Sequence, residues 1–348
     1  MSIVRSIIAA GWMGLTLLPG AAGAAGLEKP KISIAVGGSI SQMNKIAYFI
    51  ALNKKYFEDE GLTVDSTAFS SGTAALQAVV AGGADVGEGA YEHMLRLQSK
   101  GQDLTCITVF GRYPGNVLAV RTAKADSIKG VKDLKGKKIG ISAPGASTQI
   151  FVAELLERAG VNWKDASFIS IGTGPSAVAA IRTGTELDAI VNLDPAITSL
   201  TDAKEVVVLV DSRNAEGSQI AFGGPYLADC LYARTDFIKA NPNTSQAVSN
   251  ALVRAMQWLK TASIDDIIAS VPAEYYKADE ALYRKSLQQN LSAFQWDGIV
   301  TPEAAKNVLA TISVMEPALK SASLDIPRTY DNSLVERALK KYGPAAKH

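Results

Sequence analysis

SGTAALQAVVAGGAD (residues 71–85) and GTGPSAVAAIRTGTELD (residues 172–188) follow one plan. Each opens on small polar residues suited to a turn and a helix cap. Each then runs through a short Ala-rich helix, stops at glycine and meets an Asp that opens a strand. The second copy carries one extra residue between the stop and the Asp. Strand, polar turn and helix repeated in this way are what a two-lobed α/β protein needs.

The flanking sequence supports that reading. Lys31–Val36, Leu62–Phe69, Leu104–Phe110, Asn116–Arg121, Lys137–Ser142, Ser167–Ile171, Asp188–Leu193 and Val206–Val210 are short apolar runs with strand character, and Cys230 begins another. Between them, Gln42–Tyr56, 72–81, a segment opening at Pro144–Thr148 and ending at Gly160, and Pro175–Arg182 have helical spacing. Such alternation predicts mainly parallel sheets covered by helices. Beyond about residue 240 the pattern is wholly helical, over 243–261, 264–270, 279–293, 302–314 and 332–341.

Composition narrows the function. The 348 residues carry 35 Lys plus Arg against 34 Asp plus Glu. That balance argues against a nucleic-acid or polybasic membrane-surface protein. Two cysteines exclude a disulfide scaffold, and two histidines leave nothing for a multi-histidine metal site. No cofactor and no metal are expected. Cys106 and Cys230 both sit in strand-like runs; exported to an oxidising compartment they could pair, and two unpaired buried thiols are the slightly favoured alternative, since spacing says nothing about distance.

Residues 1–24, MSIVRSIIAAGWMGLTLLPGAAGA, have one charge at Arg5, an apolar run from Ile7 to Leu18 and an Ala-x-Ala cleavage pattern at 22–24. The layout is that of a cleaved secretory signal, too short for the ~20 residues of a membrane span. No Cys lies near the site, so no lipid anchor is expected.

The chemistry lies at helix starts. Such a terminus presents unpaired N–H groups and a partial positive charge, and a Ser/Gly/Thr turn adds hydroxyl donors. The sequence offers this at Ser71-Gly72-Thr73, at Gly145–Thr148 with Ser147 and Thr148, and at Gly172–Pro175 with Thr173. Each follows a strand, and ligands of open α/β sheets bind beyond strand carboxyl ends. Further candidates are Ser41 and Gln42 after the first strand, His93 as the lone mid-chain histidine, Asn116 where the chain crosses between lobes, and Asp194. Asp194 is read as a helix cap or a contact to a ligand amine, the cap being favoured. The run Gly172-x-Gly174-x-x-Ala177 superficially fits a dinucleotide fingerprint. The short helix and Pro175, which lacks an N–H, argue against it. No Gly-x-Ser-x-Gly elbow, Walker A or HExxH motif is present.

YFEDEGLTVD (56–65), SGTAALQAVVAGGADVG (71–87), VLAVR (117–121), DLKGKKIGISAPGAST (133–148), LDAIVNLDPAITSL (187–200) and the 230–259 segment together resemble the substrate-binding proteins of ABC importers. The group most similar is the nitrate/sulfonate/taurine, or NMT1/THI5-like, family. The resemblance runs from about 31 to 300. It implies a bilobal periplasmic-binding-protein-like fold of type II: two mixed sheets flanked by helices, a helical C-terminal region and ligand in the cleft. Lobe one would take 31–117 and 228–348, and lobe two 120–224. Carried over by motif, ligand contacts would come from Ser41, Gln42, Ser71, Gly72, Thr73, Tyr91, His93, Asn116, Ser147, Thr148, Thr173 and Asp194. Where the family often has an aromatic before Asp194-Pro195, this chain has Leu193. The resemblance further implies a periplasmic monomer that binds a small anion, docks an ABC permease and performs no chemistry. An enzyme on the same fold, similar to pyrimidine synthases, and a ligand-binding partner of a sensor are the alternatives.

Overall fold

The computed structural model describes residues 26–39, 41–183 and 186–343. The expected signal segment and Gly184, the second copy's glycine stop, lie outside these. Among the described residues ten strands form two five-stranded sheets. They are β1 Lys31–Gly37, β2 Thr63–Phe69, β3 Val86–Ala90, β4 Leu104–Val109, β5 Val117–Arg121, β6 Lys138–Ile141, β7 Ser167–Ser170, β8 Ala189–Asn192, β9 Val206–Asp211 and β10 Asp229–Arg234.

The sheets share one plan. The first has order β2-β1-β3-β10-β4 and the second β7-β6-β8-β5-β9. In the first, β1 runs parallel to β2 and β3, while β10 is antiparallel to β3 and β4. In the second, β6 runs parallel to β7 and β8, while β5 is antiparallel to β8 and β9. The helices Gly72–Val80 and Pro175–Arg182 make the equivalent crossovers.

The repeated Asp explains part of this likeness. Asp85 donates its N–H to the Ser33 carbonyl, and its carboxylate accepts from the Ser33 N–H at 2.9 Å. Asp188 does the same with Lys138, also at 2.9 Å. Each Asp pins the start of its strand to the neighbouring parallel strand. The spacing of the echo therefore has a structural purpose in both halves.

Burial follows the strand period. Along β5, Val117 and Ala119 pack with Ile190 and Ile197 on one face, while Leu118 and Val120 pack with Ile139 and Phe151 on the other. Sheet one packs Ile34, Ile107 and Leu231 against the long helix Pro242–Thr261 through Val248, Leu252 and Met256. The edge strand β2 is largely exposed and polar, which discourages pairing with another chain. Both cysteines are buried and free, on adjacent strands.

One expected element divides. Instead of a single helix over 42–56, a 3₁₀ turn Met43–Lys45 leads into a helix Ile46–Asn53. Lys55 then takes a left-handed conformation at φ 61° and a short helix Tyr56–Asp59 follows. The left-handed residue breaks the ladder where spacing alone shows no stop. Helices Glu92–Gln98, Ala196–Asp202 and Ala215–Phe222 carry no clear periodic signal. Among the described residues no helix is long and apolar enough to cross a membrane.

Candidate functional site

The carboxyl end of β1 approaches the start of the Gly72–Val80 helix closely. A Cβ on Gly37 would stand 2.4 Å from the Gly72 Cα, so this approach requires glycine. Ser71 caps the helix by accepting from the Ala74 N–H at 3.2 Å. The N–H groups of Gly72 and Thr73 have no intrahelical acceptor. The Thr73 hydroxyl is buried without a partner.

Across the cleft the helix Ser147–Arg158 begins behind Ala146, which offers no capping side chain. The Ser147 and Thr148 N–H groups are therefore the ones left by helix geometry. Both helix starts border one pocket between the sheets, of about 730 Å³ including its open mouth.

Of the twelve residues expected from sequence, eight line this pocket: Gln42, Ser71, Gly72, Thr73, His93, Asn116, Ser147 and Thr173. Besides Thr73, two of them have buried open valences. His93 is 2% exposed and neither ring nitrogen has a partner. Burial first, and Arg96 second, push its pKa down to about 3, so the ring is neutral. Asn116 is 1% exposed, with its side-chain carbonyl unpartnered. Its backbone carbonyl accepts from Ser212 N–H and hydroxyl, fixing the crossing strand. Thr173 is partly occupied: its hydroxyl accepts from the Ser39 N–H at 3.0 Å and so ties the two halves together.

Four expected residues do not line the pocket. The Thr148 hydroxyl accepts from the Ser142 N–H at 3.0 Å and closes its own loop. Tyr91 points into the core, where its hydroxyl meets Thr329. Ser41 turns to Ser39 and borders a separate groove. Asp194 is 1% exposed and fully engaged. It accepts from Thr198 N–H and hydroxyl, from Arg213 at 2.8 Å and from Asn290 at 2.7 Å. The favoured cap reading describes its first bond; no open valence remains for a ligand amine.

The structure adds residues that spacing does not reveal. Asn44, Lys45, Glu92, Phe151, Phe222, Tyr226 and Asp229 also line the pocket. Phe222 and Tyr226 stack with ring centroids 4.0 Å apart. Lys45 is 3% exposed and bonds the fully buried Glu88 at 2.6 Å. Asp229 accepts from Asn44 at 3.0 Å. Its pKa is pushed up to about 7 by burial and by Glu88, with Lys45 and Asn44 opposing. Burial raises Glu92 to about 7 as well; Arg96 opposes this, and Asp229 and Glu316 add to it. The available signal was a charge embedded in an otherwise buried run, as with Lys45 before IAYFIA or Asp229 within YLADCLYA.

Comparison with known proteins places these features in a family. Residues 42–262 match the family described as NMT1/THI5 like. A Bordetella bronchiseptica RB50 protein of known structure is 39% identical, with a TM-score of 0.86, covering 91% of this chain and 99% of its own. The alkanesulfonate-binding protein of Xanthomonas axonopodis pv. citri, solved with bound MOPS, is 20% identical at TM-score 0.65, covering 90% and 99%. The periplasmic nitrate-binding protein of Synechocystis PCC 6803 is 13% identical at TM-score 0.68, covering 92% and 90%. The last two share the fold, which is that of the periplasmic binding proteins. With two mixed sheets, a cleft between them and a match across most of both, this chain belongs to the NMT1/THI5-like family.

Proposed function

We propose that this chain is the extracytoplasmic solute-binding protein of an ABC importer. It captures a small organic or inorganic acid in the cleft and delivers it unchanged to a membrane permease. One observation carries the reading: two helix starts, one from each half, border a single pocket lined by buried side chains with open hydrogen-bonding valences. Backbone N–H groups, the Thr73 and Ser147 hydroxyls and the helix dipoles suit an anionic group.

The lobes proposed are 31–117 with 228–348, and 120–224. Their support is that the strands of sheet one fall within 31–109 and 229–234, and those of sheet two within 117–211, with β5 beginning three residues before the second range. Ser39 on Thr173, and Arg96 on the Gly145 carbonyl at 2.8 Å, are contacts that a closing cleft would make. Export by the 1–24 signal to the periplasm, as a monomer without a lipid anchor, completes the proposal.

The test is thermal unfolding and calorimetry of the mature chain with sulfonates, carboxylates and nitrate. A true ligand at 100 times its Kd adds about 2.7 kcal/mol, raising Tm by several degrees. Thr73→Val should weaken that ligand about tenfold. Mass spectrometry should recover it unaltered. Absence of binding across the panel, or turnover, overturns the reading.

A further inference from the structure

The pocket that would hold an anion is walled by acids. Its charged or titratable lining side chains, among the described residues, are Lys45, Glu92, His93, Tyr226 and Asp229. Lys45 is already bonded to Glu88, and His93 is neutral. No unpaired cation is left on the wall to receive an acid. Glu92 and Asp229 are both buried there.

Half of the unfilled valences point the same way. The Thr73 hydroxyl and the two His93 ring nitrogens are buried pocket atoms without partners that between them can donate or accept; Asn44 Oδ1, Glu92 Oε1 and Asn116 Oδ1 are the other three. The two amide oxygens, and Glu92 once ionised, are acceptors. A ligand made only of acceptors leaves them unsatisfied and sets its charge beside two carboxyls in a water-poor site. A group rich in N–H donors satisfies them.

We propose that the ligand carries, besides its acidic end, a protonated amine or amidine that Glu92 and Asp229 receive, with Asn44 and His93 beside it and the Phe222–Tyr226 stack as the apolar floor between the ends. This rests on the cleft being the ligand site, as proposed above; it adds the second half of the ligand. A cationic group ionises the two carboxyls, so its binding releases protons near neutral pH, where both titrate. A plain anion does the reverse and takes protons up. The groups facing Glu92 are Arg96 on its own helix, Asp229, Glu316 and Tyr226; those facing Asp229 are Glu88, Lys45, Asn44, Glu92, Tyr226 and Cys230. Arg96 is paired with Glu316 and Lys45 with Glu88, so neither is free to neutralise the acids.

The experiment titrates the mature protein at pH 7 with two matched sets: butanoate, 4-aminobutanoate and butylamine; and benzoate, 4-(aminomethyl)benzoate and benzylamine. Calorimetry in buffers of different ionisation enthalpy reads the proton count. The expected result is that a two-ended member binds at least about tenfold tighter than its acid-only partner, with proton release. Glu92→Gln and Asp229→Asn, each checked by thermal unfolding, should each reduce that preference about tenfold. Equal or tighter binding of the acid-only members, or proton uptake, overturns the inference and leaves the anion reading standing. Binding by the amines alone supports the inference and overturns the anionic end. No binding by any member overturns both.

Discussion

Glu92 and Asp229 are carboxyls that folding removes from water without a full set of donors. Burial raises the Glu92 pKa from 4.5 to about 7. The folded chain then holds that proton more tightly than the unfolded chain does. The associated stability is present below about pH 4.5 and is lost as pH rises to about 7, on the order of 3 kcal/mol from this one group. Glu92→Gln keeps the shape and removes the ionisation. The ligand-free variant should therefore gain several degrees in Tm over wild type at pH 8 and nothing at pH 4. A parallel shift at both pH values would contradict the assignment.

At the scale of elements, the repeated turn and crossover helix is what brings the two halves to the site. The Asp85–Ser33 and Asp188–Lys138 pairs hold the two crossovers in equivalent places. The junction of β1 with the Gly72–Val80 helix is the tightest part of this arrangement. Gly37→Ala puts a methyl 2.4 Å from the Gly72 Cα, a distance no relaxation of side chains can relieve because both partners are backbone. The strand end and helix must part. The expected cost is about 1–3 kcal/mol in chemical denaturation, accompanied by weaker ligand binding. Gly136→Ala is the useful comparison for a glycine with open space around it, although its φ of 71° adds local strain of its own. Only the first variant should impair binding.

Across the whole molecule, the helix Glu280–Asn290 of the C-terminal region links to the half of the chain that contains sheet two. Asn290 donates to Asp194, Arg213 donates to Gln289 at 2.7 Å, and Lys285 pairs with Asp202. Burial works against the Arg213 charge, but Asp211 and Asp194 outweigh it and hold the guanidinium ionised. One apolar cluster also runs from Val109 and Tyr232 of sheet one through Tyr226 and Val308 to Leu118 and Ile139 of sheet two. The two halves thus share both a polar tie and a core. Asp194→Ala removes one partner of a buried pair and should cost about 3–5 kcal/mol. Denaturant titration checks the cost. Scattering should show a larger radius of gyration if the tie also limits opening.

The sequence alone determined the alternation of strands and helices, the two equivalent crossovers, the helical C-terminal region and the turns that border the pocket. These rest on caps, glycines and side-chain periods set by residues a few positions apart. Tertiary structure decided which side chain of a turn faces the cleft. Tyr91 and His93 are two residues apart, yet Thr329 draws the first into the core while the second stays on the pocket wall. Asp194 reads locally as a cap, but Asn290, 96 residues away, completes its bonding and removes it from the site. Lys45, Glu92 and Asp229 become a pocket wall only because β1, β3 and β10 are neighbours in one sheet. The charge of a site is a sum over such distant neighbours, so no local spacing could have revealed it.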